Sequence, residues 1–112
     1  MLKKIVSFGF RHGPPPDVPG SVVVDIRRMF LNPYRDLSLR HLRGTDAMVQ
    51  RAIMRTPEFR AKVGFLRAQI SVPGMDVAYI GCTGGRHRSV FLAERLGREL
   101  NVPVEHRDID LP

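Results

Sequence analysis

Apolar positions along the chain follow two rhythms, short continuous runs and a recurrence every three or four residues, and prolines and glycines separate them. Leu2 to Phe10 contains I-V-S-F-G-F and predicts a first strand. Prolines at 14, 15, 16 and 19, with two glycines, make residues 11–20 an irregular connection. Ser21 to Ile26, S-V-V-V-D-I, predicts a second strand. Its unbroken apolar run implies burial on both faces, as in a parallel or mixed sheet, and Asp25 falls near its C-terminal end. R-R-M-F-L-N-P-Y-R-D follows as a loop that Asn32-Pro33 turns.

Helical spacing begins near Thr45 or Asp46, either of which can cap a helix with Met48, Val49, Ala52 and Ile53 on one side. Thr56-Pro57-Glu58 interrupts it and predicts a restart, with Thr as cap, Pro at the first helical position and Glu in the first turn. Phe59, Val63, Leu66 and Ile70 form the core face of that second helix, and Ser71 to Gly74 stop it. Met75 to Ile80 predicts a third strand, His87 to Leu100 a third helix with Val90, Ala93, Leu96 and Leu100 inward, and Asn101 to His106 a last strand. The expected fold is a single small α/β domain over residues 1–112. Its four-stranded sheet is mostly parallel or mixed, in two or three layers, with a right-handed βαβ unit that carries a glycine-rich anion loop.

The 112 residues suit one domain with a modest core. Lysine and arginine outnumber the acids 18 to 11, a formal charge of +7, which favours anionic partners such as nucleic acid or phosphorylated metabolites. All but three of those cations are arginines, whose planar fork suits phosphate and carboxylate; a high-GC genome produces the same bias without a functional reason. Arg27 to Arg60 holds eight arginines and three acids, the strongest local excess. One cysteine excludes an internal disulfide framework and a cysteine-rich metal site. No apolar run reaches membrane-spanning length and no secretory h-region develops, so the expectation is a cytoplasmic protein with no membrane partner and no cofactor. The four scattered histidines do not suggest a metal site.

The chemistry concentrates in G-C-T-G-G-R-H-R-S, Gly81 to Ser89, between a predicted strand and a predicted helix. There the amides of Thr83 to Arg88 can point at one anion, helped by the helix N-terminus. Gly84 and Gly85 permit the close backbone approach that such a nest needs. Arg88 can clamp the anion with two donors, and Arg86 and His87 can reach phosphate or the rest of a ligand. The same residues fit C-x2-G-x2-R-[ST], with Cys82, Gly85, Arg88 and Ser89 in register, which resembles the loop of cysteine-dependent phosphatases. That chemistry needs a thiolate and a leaving-group acid. Asp17, Asp36 and Asp46 are available acids that no spacing selects, and Gly81 stands where the fuller phosphatase signature has histidine.

Ile80 to Val90, I-G-C-T-G-G-R-H-R-S-V, closely resembles the signature of the C-terminal domain of RapZ, the RNase adapter family. Further matching blocks are S-F-G-F-R-H-G (7–13), V-D-I-R (24–27), F-L-N-P-Y (30–34), L-R-G-T-D (42–46) and V-E-H-R-D (104–108), in family order. The resemblance implies a domain that binds RNA through basic residues and senses glucosamine-6-phosphate in an anion pocket. It implies phosphate at Thr83 to Ser89, beside Cys82, with Asp25, Arg27 and Asn32 bordering. Arg28, Arg35, Arg40, Arg43 and Arg107 are the arginines expected to meet RNA, where Phe30 and Tyr34 can stack on bases or pack on the sheet. Relatives in this family carry an N-terminal nucleotide-binding domain, but no G-x-x-x-x-G-K-[ST] occurs here. The leading expectation is therefore binding of a phosphorylated small molecule or inorganic anion, with RNA as a further partner. The rivals are a phosphatase using Cys82 and Arg88, and an adapter with a vestigial pocket that pairs with another protein or a second copy.

Overall fold

A computed structural model describes the whole chain, Met1 to Pro112. It has strands β1 (Lys4–Gly9), β2 (Ser21–Asp25), β3 (Val77–Cys82) and β4 (Val104–His106), and helices α1 (Ala47–Met54), α2 (Phe59–Ile70) and α3 (Arg88–Leu100). The strands lie in the order β2-β3-β1-β4, and every pairing is parallel. Since β1 sits between β3 and β4, the βαβ unit is split: α3 carries the chain across β1 before β4 pairs with it.

Strand alternation sets the layers. Ile5, Val24, Ala78, Ile80 and Cys82 share one sheet face and join buried side chains of all three helices in a continuous core. The helices therefore cover one face, a two-layer arrangement. Phe59 of α2 stacks on Phe91 of α3 (ring centroids 6.1 Å apart) and meets Phe30 edge-on at 5.7 Å, which ties the loop after β2 to the helical layer. On the other face Phe8 packs edge-on against Phe10 and Tyr79.

Several boundaries differ from the sequence expectation for local reasons. β2 is an edge strand, not one buried on both faces: Val24 is in the core while Val23 is 45% exposed. Asp46 caps α1 by accepting the Met48 N–H at 2.9 Å, and the core stripe is Val49 and Ile53, with Met48 exposed. The Thr56-Pro57-Glu58 restart is not a capped helix start. The buried Thr56 hydroxyl donates to the Ile53 carbonyl at 2.7 Å and accepts the Leu31 N–H at 2.8 Å, so it locks the turn to the β2 loop instead. Glu58 precedes α2 in the left-handed region, φ 58°. β3 starts at Val77 because the turn at Val72 to Met75 and the pairing of Asp76 with Gly20 and Lys3 consume the earlier residues. His87 lies just outside α3, and Asn101, left-handed at φ 56°, ends that helix and delays β4 to Val104.

A polar chain closes the β4 edge. The wholly buried Ser7 hydroxyl shares a 2.6 Å hydrogen bond with His106 Nδ1, and His106 Nε2 donates to Glu94 of α3 at 2.7 Å. This links β1, β4 and α3 on the helical face. All four strands being parallel, their C-terminal ends share one edge of the sheet. Arg11 after β1, residues 26–44 after β2 and residues 83–87 after β3 converge there, the usual place for a ligand in an open parallel sheet.

Candidate functional site

The loop from Cys82 to Arg88 is held by glycine contacts. Gly85 has φ +79°, and a Cβ there would lie 2.6 Å from the Gly9 nitrogen; a Cβ on Gly9 would in turn strike the backbone of Gly84 and Gly85. The end of β1 and the loop thus touch backbone to backbone. Gly44 approaches equally closely from the other side, its N–H donating to the Arg86 carbonyl at 2.7 Å. Asp108, in the chain after β4, accepts the Gly9 N–H at 2.8 Å beneath the same junction. Burial pushes the Asp108 carboxyl up, but Arg107 and the Gly9 N–H outweigh it and hold the group below the usual aspartate range.

Within the loop, the Gly85 N–H donates to Cys82 Sγ at 3.3 Å, and Ser89 Oγ lies 3.1 Å from the same sulfur. The amides of Thr83, Gly84, Arg86, His87 and Arg88 have no acceptor in the protein. Four of these donors precede the positive end of the 13-residue α3 and the fifth, Arg88, opens it.

A cavity of about 360 Å³ opens over this loop, lined by Cys82, Thr83, Gly84, Arg86, His87 and Arg88 together with Arg11, Asn32, Tyr34, Arg40, His41 and Pro112. Four arginines and two histidines therefore surround it, with no acidic side chain. Arg88 is 4% exposed; one terminal nitrogen donates to the Arg27 carbonyl at 2.8 Å, and its Nε has no partner. Arg86 resembles it, donating to the His41 carbonyl at 3.2 Å with a buried, unpartnered Nε. Burial lowers the Arg88 pKa from the usual arginine value; the nearby Cys82 and Asp25 favour its charged form and Arg35 opposes it. His87 is also lowered, first by burial and further by Arg86 and Arg88, although its Nε2 donates to the Leu42 carbonyl at 2.7 Å.

Not every anticipated residue reaches this cavity. Gly85 backs against Gly9 and Asp108, and Ser89 lies buried beneath Cys82. Asn32 lines the cavity after turning the chain by accepting the Tyr34 N–H at 3.1 Å. Asp25 and Arg27 form a bidentate pair, 2.7 to 3.1 Å, with Arg27 4.1 Å above the Phe10 ring. This pair stands to one side of the cavity. Gly81 has a plain cause: a Cβ would fall 2.4 Å from the Phe8 ring, so no histidine fits there.

The five arginines expected to meet RNA stand in different surroundings. Arg28 is exposed and forms no ion pair, whereas Arg43 pairs with Asp110 at 2.5 Å. Arg40 lies 4.3 Å over the Tyr34 ring and lines the cavity, while Arg35 lines a neighbouring cleft. Arg107 is turned inward, bridging Asp108 and the Gly13 carbonyl at 2.7 and 2.8 Å and lying 5.3 Å over Phe8. Arg11 and His41 were missed as lining residues. The signal for Arg11 was available, since a residue just after a parallel strand lies at the ligand edge; nothing in the sequence pointed to His41.

No helix is long and apolar enough to cross a membrane, and no group of three or more His, Cys, Asp or Glu is placed to hold a metal ion. The chain is 42% identical to a nucleotide-binding protein of Cupriavidus metallidurans over 92% of its own length and 38% of the relative's. It is 38% identical to nucleotide-binding proteins of Rubrobacter xylanophilus and Thermus thermophilus, covering 95% and 97% of this chain but 40% and 43% of theirs. The chain thus spans about two fifths of the length of these relatives. Residues 1–110 match the sequence profile of the RapZ C-terminal domain, and with the loop and its parallel-sheet setting in place, the chain belongs to that family.

Proposed function

We propose that this domain binds a phosphorylated small molecule, an amino-sugar phosphate such as glucosamine-6-phosphate, in the cavity over the Cys82–Arg88 loop. The observation that carries the reading is the set of five unpaired amides at and before the start of α3, inside a lining with four arginines and no acidic side chain. Such amides supply fixed donors at no reorganisation cost, and Arg88 adds a charge-assisted fork. The unpartnered Nε of Arg88 supports the same reading, because a buried cation with incomplete hydrogen bonding is stabilised by an anion; the half-buried Arg86 also has an unpartnered Nε. A cavity of about 360 Å³ is within the size range of small-metabolite sites. Calorimetric titration with glucosamine-6-phosphate, glucosamine and inorganic phosphate tests it. Binding should require the phosphate and be lost in Arg88→Ala but kept in Cys82→Ser; binding of glucosamine alone overturns the reading.

RNA is the proposed second partner, met by the exposed Arg28 and by Arg35 and Arg40 around the cavity mouth, with Tyr34, 51% exposed, available for stacking. The relatives' description as nucleotide-binding proteins extends over chains more than twice as long, and this chain has no Walker-type loop.

One observation favours the cysteine phosphatase alternative: Cys82 Sγ receives the Gly85 N–H and lies beside Ser89 Oγ, as a supported thiolate would. No acidic side chain lines the loop cavity itself, and Asp36, which lines the adjoining cleft, already accepts two hydrogen bonds from Ser38. Release of phosphate from an aryl phosphate by the wild type, lost in Cys82→Ser, would establish that reading in place of ours.

A further inference from the structure

A second cleft, of about 750 Å³, shares Arg88 with the loop cavity. Phe30 and Leu39, each 5% exposed, and Pro33 contribute its apolar surface, and Arg27, Arg35 and Arg55 stand around it. Asn32, Thr83 and Arg88 line both this cleft and the loop cavity, so the two are contiguous.

The charge balance of the cleft is unusual. Its four arginines face a single acid, Asp36, which already accepts the Ser38 N–H at 2.9 Å and the Ser38 hydroxyl at 2.7 Å. Arg27 is neutralised by Asp25, but Arg35 and Arg55 form no ion pair and no side-chain hydrogen bond within the protein. Between the two cavities stands Arg88, 96% withdrawn from solvent, with one nitrogen on the Arg27 carbonyl and its Nε unpartnered. Arg27, Arg35 and Arg55 are exposed along the cleft wall, and an anion placed among like charges reduces their mutual repulsion.

We propose that this cleft is a second anion subsite, so that a ligand carrying two phosphoryl groups, one on the 83–88 loop and one between Arg35 and Arg55, binds more tightly than the corresponding monophosphate. The proposal rests on the reading of the loop cavity as a phosphate site. Linking two anions makes the second contact intramolecular, which raises affinity without a new protein element. A sugar bisphosphate and a nucleoside 3′,5′-bisphosphate share this chemistry, and the test separates them.

Glucose 6-phosphate, glucose 1,6-bisphosphate and adenosine 3′,5′-bisphosphate are titrated into the full chain at fixed ionic strength. The variants are Arg88→Ala, Arg35→Ala/Arg55→Ala and, as a control on the exposed surface of α3, Arg98→Ala; thermal melts confirm folding of each. One or both bisphosphates should bind at least about tenfold more tightly than the monophosphate, and the one that does names the source. The Arg35/Arg55 double variant should abolish that advantage while changing monophosphate affinity less than about twofold, and Arg98→Ala should preserve it. Equal affinity for mono- and bisphosphates, an advantage that survives the double variant, or equal loss in Arg98→Ala overturns the second subsite. Should monophosphate binding nevertheless depend on Arg88, the loop reading stands and only the subsite fails; if no phosphate binds at all, both fail.

Discussion

A guanidinium withdrawn from water as far as that of Arg88 is tolerated only where its donors are used or an anion compensates its charge. Its single bond to the Arg27 carbonyl leaves most of the fork for a ligand. Shape matters here as well as charge, so Arg88→Lys should weaken phosphate binding by about tenfold or more despite keeping the positive charge, read by calorimetry. His87 makes a pH prediction. Its folded pKa lies below the ordinary histidine value of 6.5, chiefly through burial. Above that value the imidazole is neutral in both folded and unfolded chains; below it the unfolded chain takes up a proton that the folded one resists. Stability should therefore fall as pH drops below 6.5, and His87→Gln should flatten that slope in denaturant melts. The lowered carboxyls of Asp25, Asp36 and Asp108 act in a separate window. Their stabilising contribution is present above the ordinary value of 3.8 and disappears as pH falls further.

At the scale of elements, the loop's shape comes from contacts between segments distant in sequence. Gly85→Ala would force a Cβ against the Gly9 backbone at a positive φ, so it should destabilise by about 2 kcal/mol or more, measured as a shift in the urea midpoint. Glu58 is held left-handed without a glycine's freedom. Glu58→Gly should raise stability by about 0.5 kcal/mol, strain relief less the added freedom of the unfolded chain, by the same measurement. These two positions also mark what the sequence could convey. Gly84-Gly85 after an apolar strand announced a tight anion loop, because local chemistry alone requires it. Thr56-Pro57-Glu58 announced a helix start because its residue types match a cap, yet the Thr56 hydroxyl serves Leu31, a partner 25 residues away. Local spacing carries no information about that partner. Asp108 is the same case: an acid in a polar tail that becomes the support beneath Gly9 only once β4 pairs with β1.

For the whole molecule, one rule organises the site: parallel strands bring the segments that follow β1, β2 and β3 to a common edge. The element pattern conveyed the α/β class and the loop, but it left the strand order open and suggested a buried β2. Only the order β2-β3-β1-β4 explains why Arg11, Asn32 and Arg88 come together and why Val23 remains exposed. The net charge of +7 acts at this scale too. If the arginines around the cavity mouth meet RNA phosphates, log affinity should fall linearly with log salt, and each contributing arginine changed to alanine should reduce the slope by about one. Arg107→Ala should instead lower stability, since that side chain braces Asp108 and the Gly13 carbonyl.

The central claim is that the loop amides and Arg88 hold a phosphoryl group. Calorimetric titration of glucosamine-6-phosphate into the wild type, Arg88→Ala and Cys82→Ser tests it most directly. The account predicts saturable binding in the wild type and Cys82→Ser and none in a folded Arg88→Ala. Undiminished binding in Arg88→Ala, or no phosphate-dependent binding in the wild type, would contradict it.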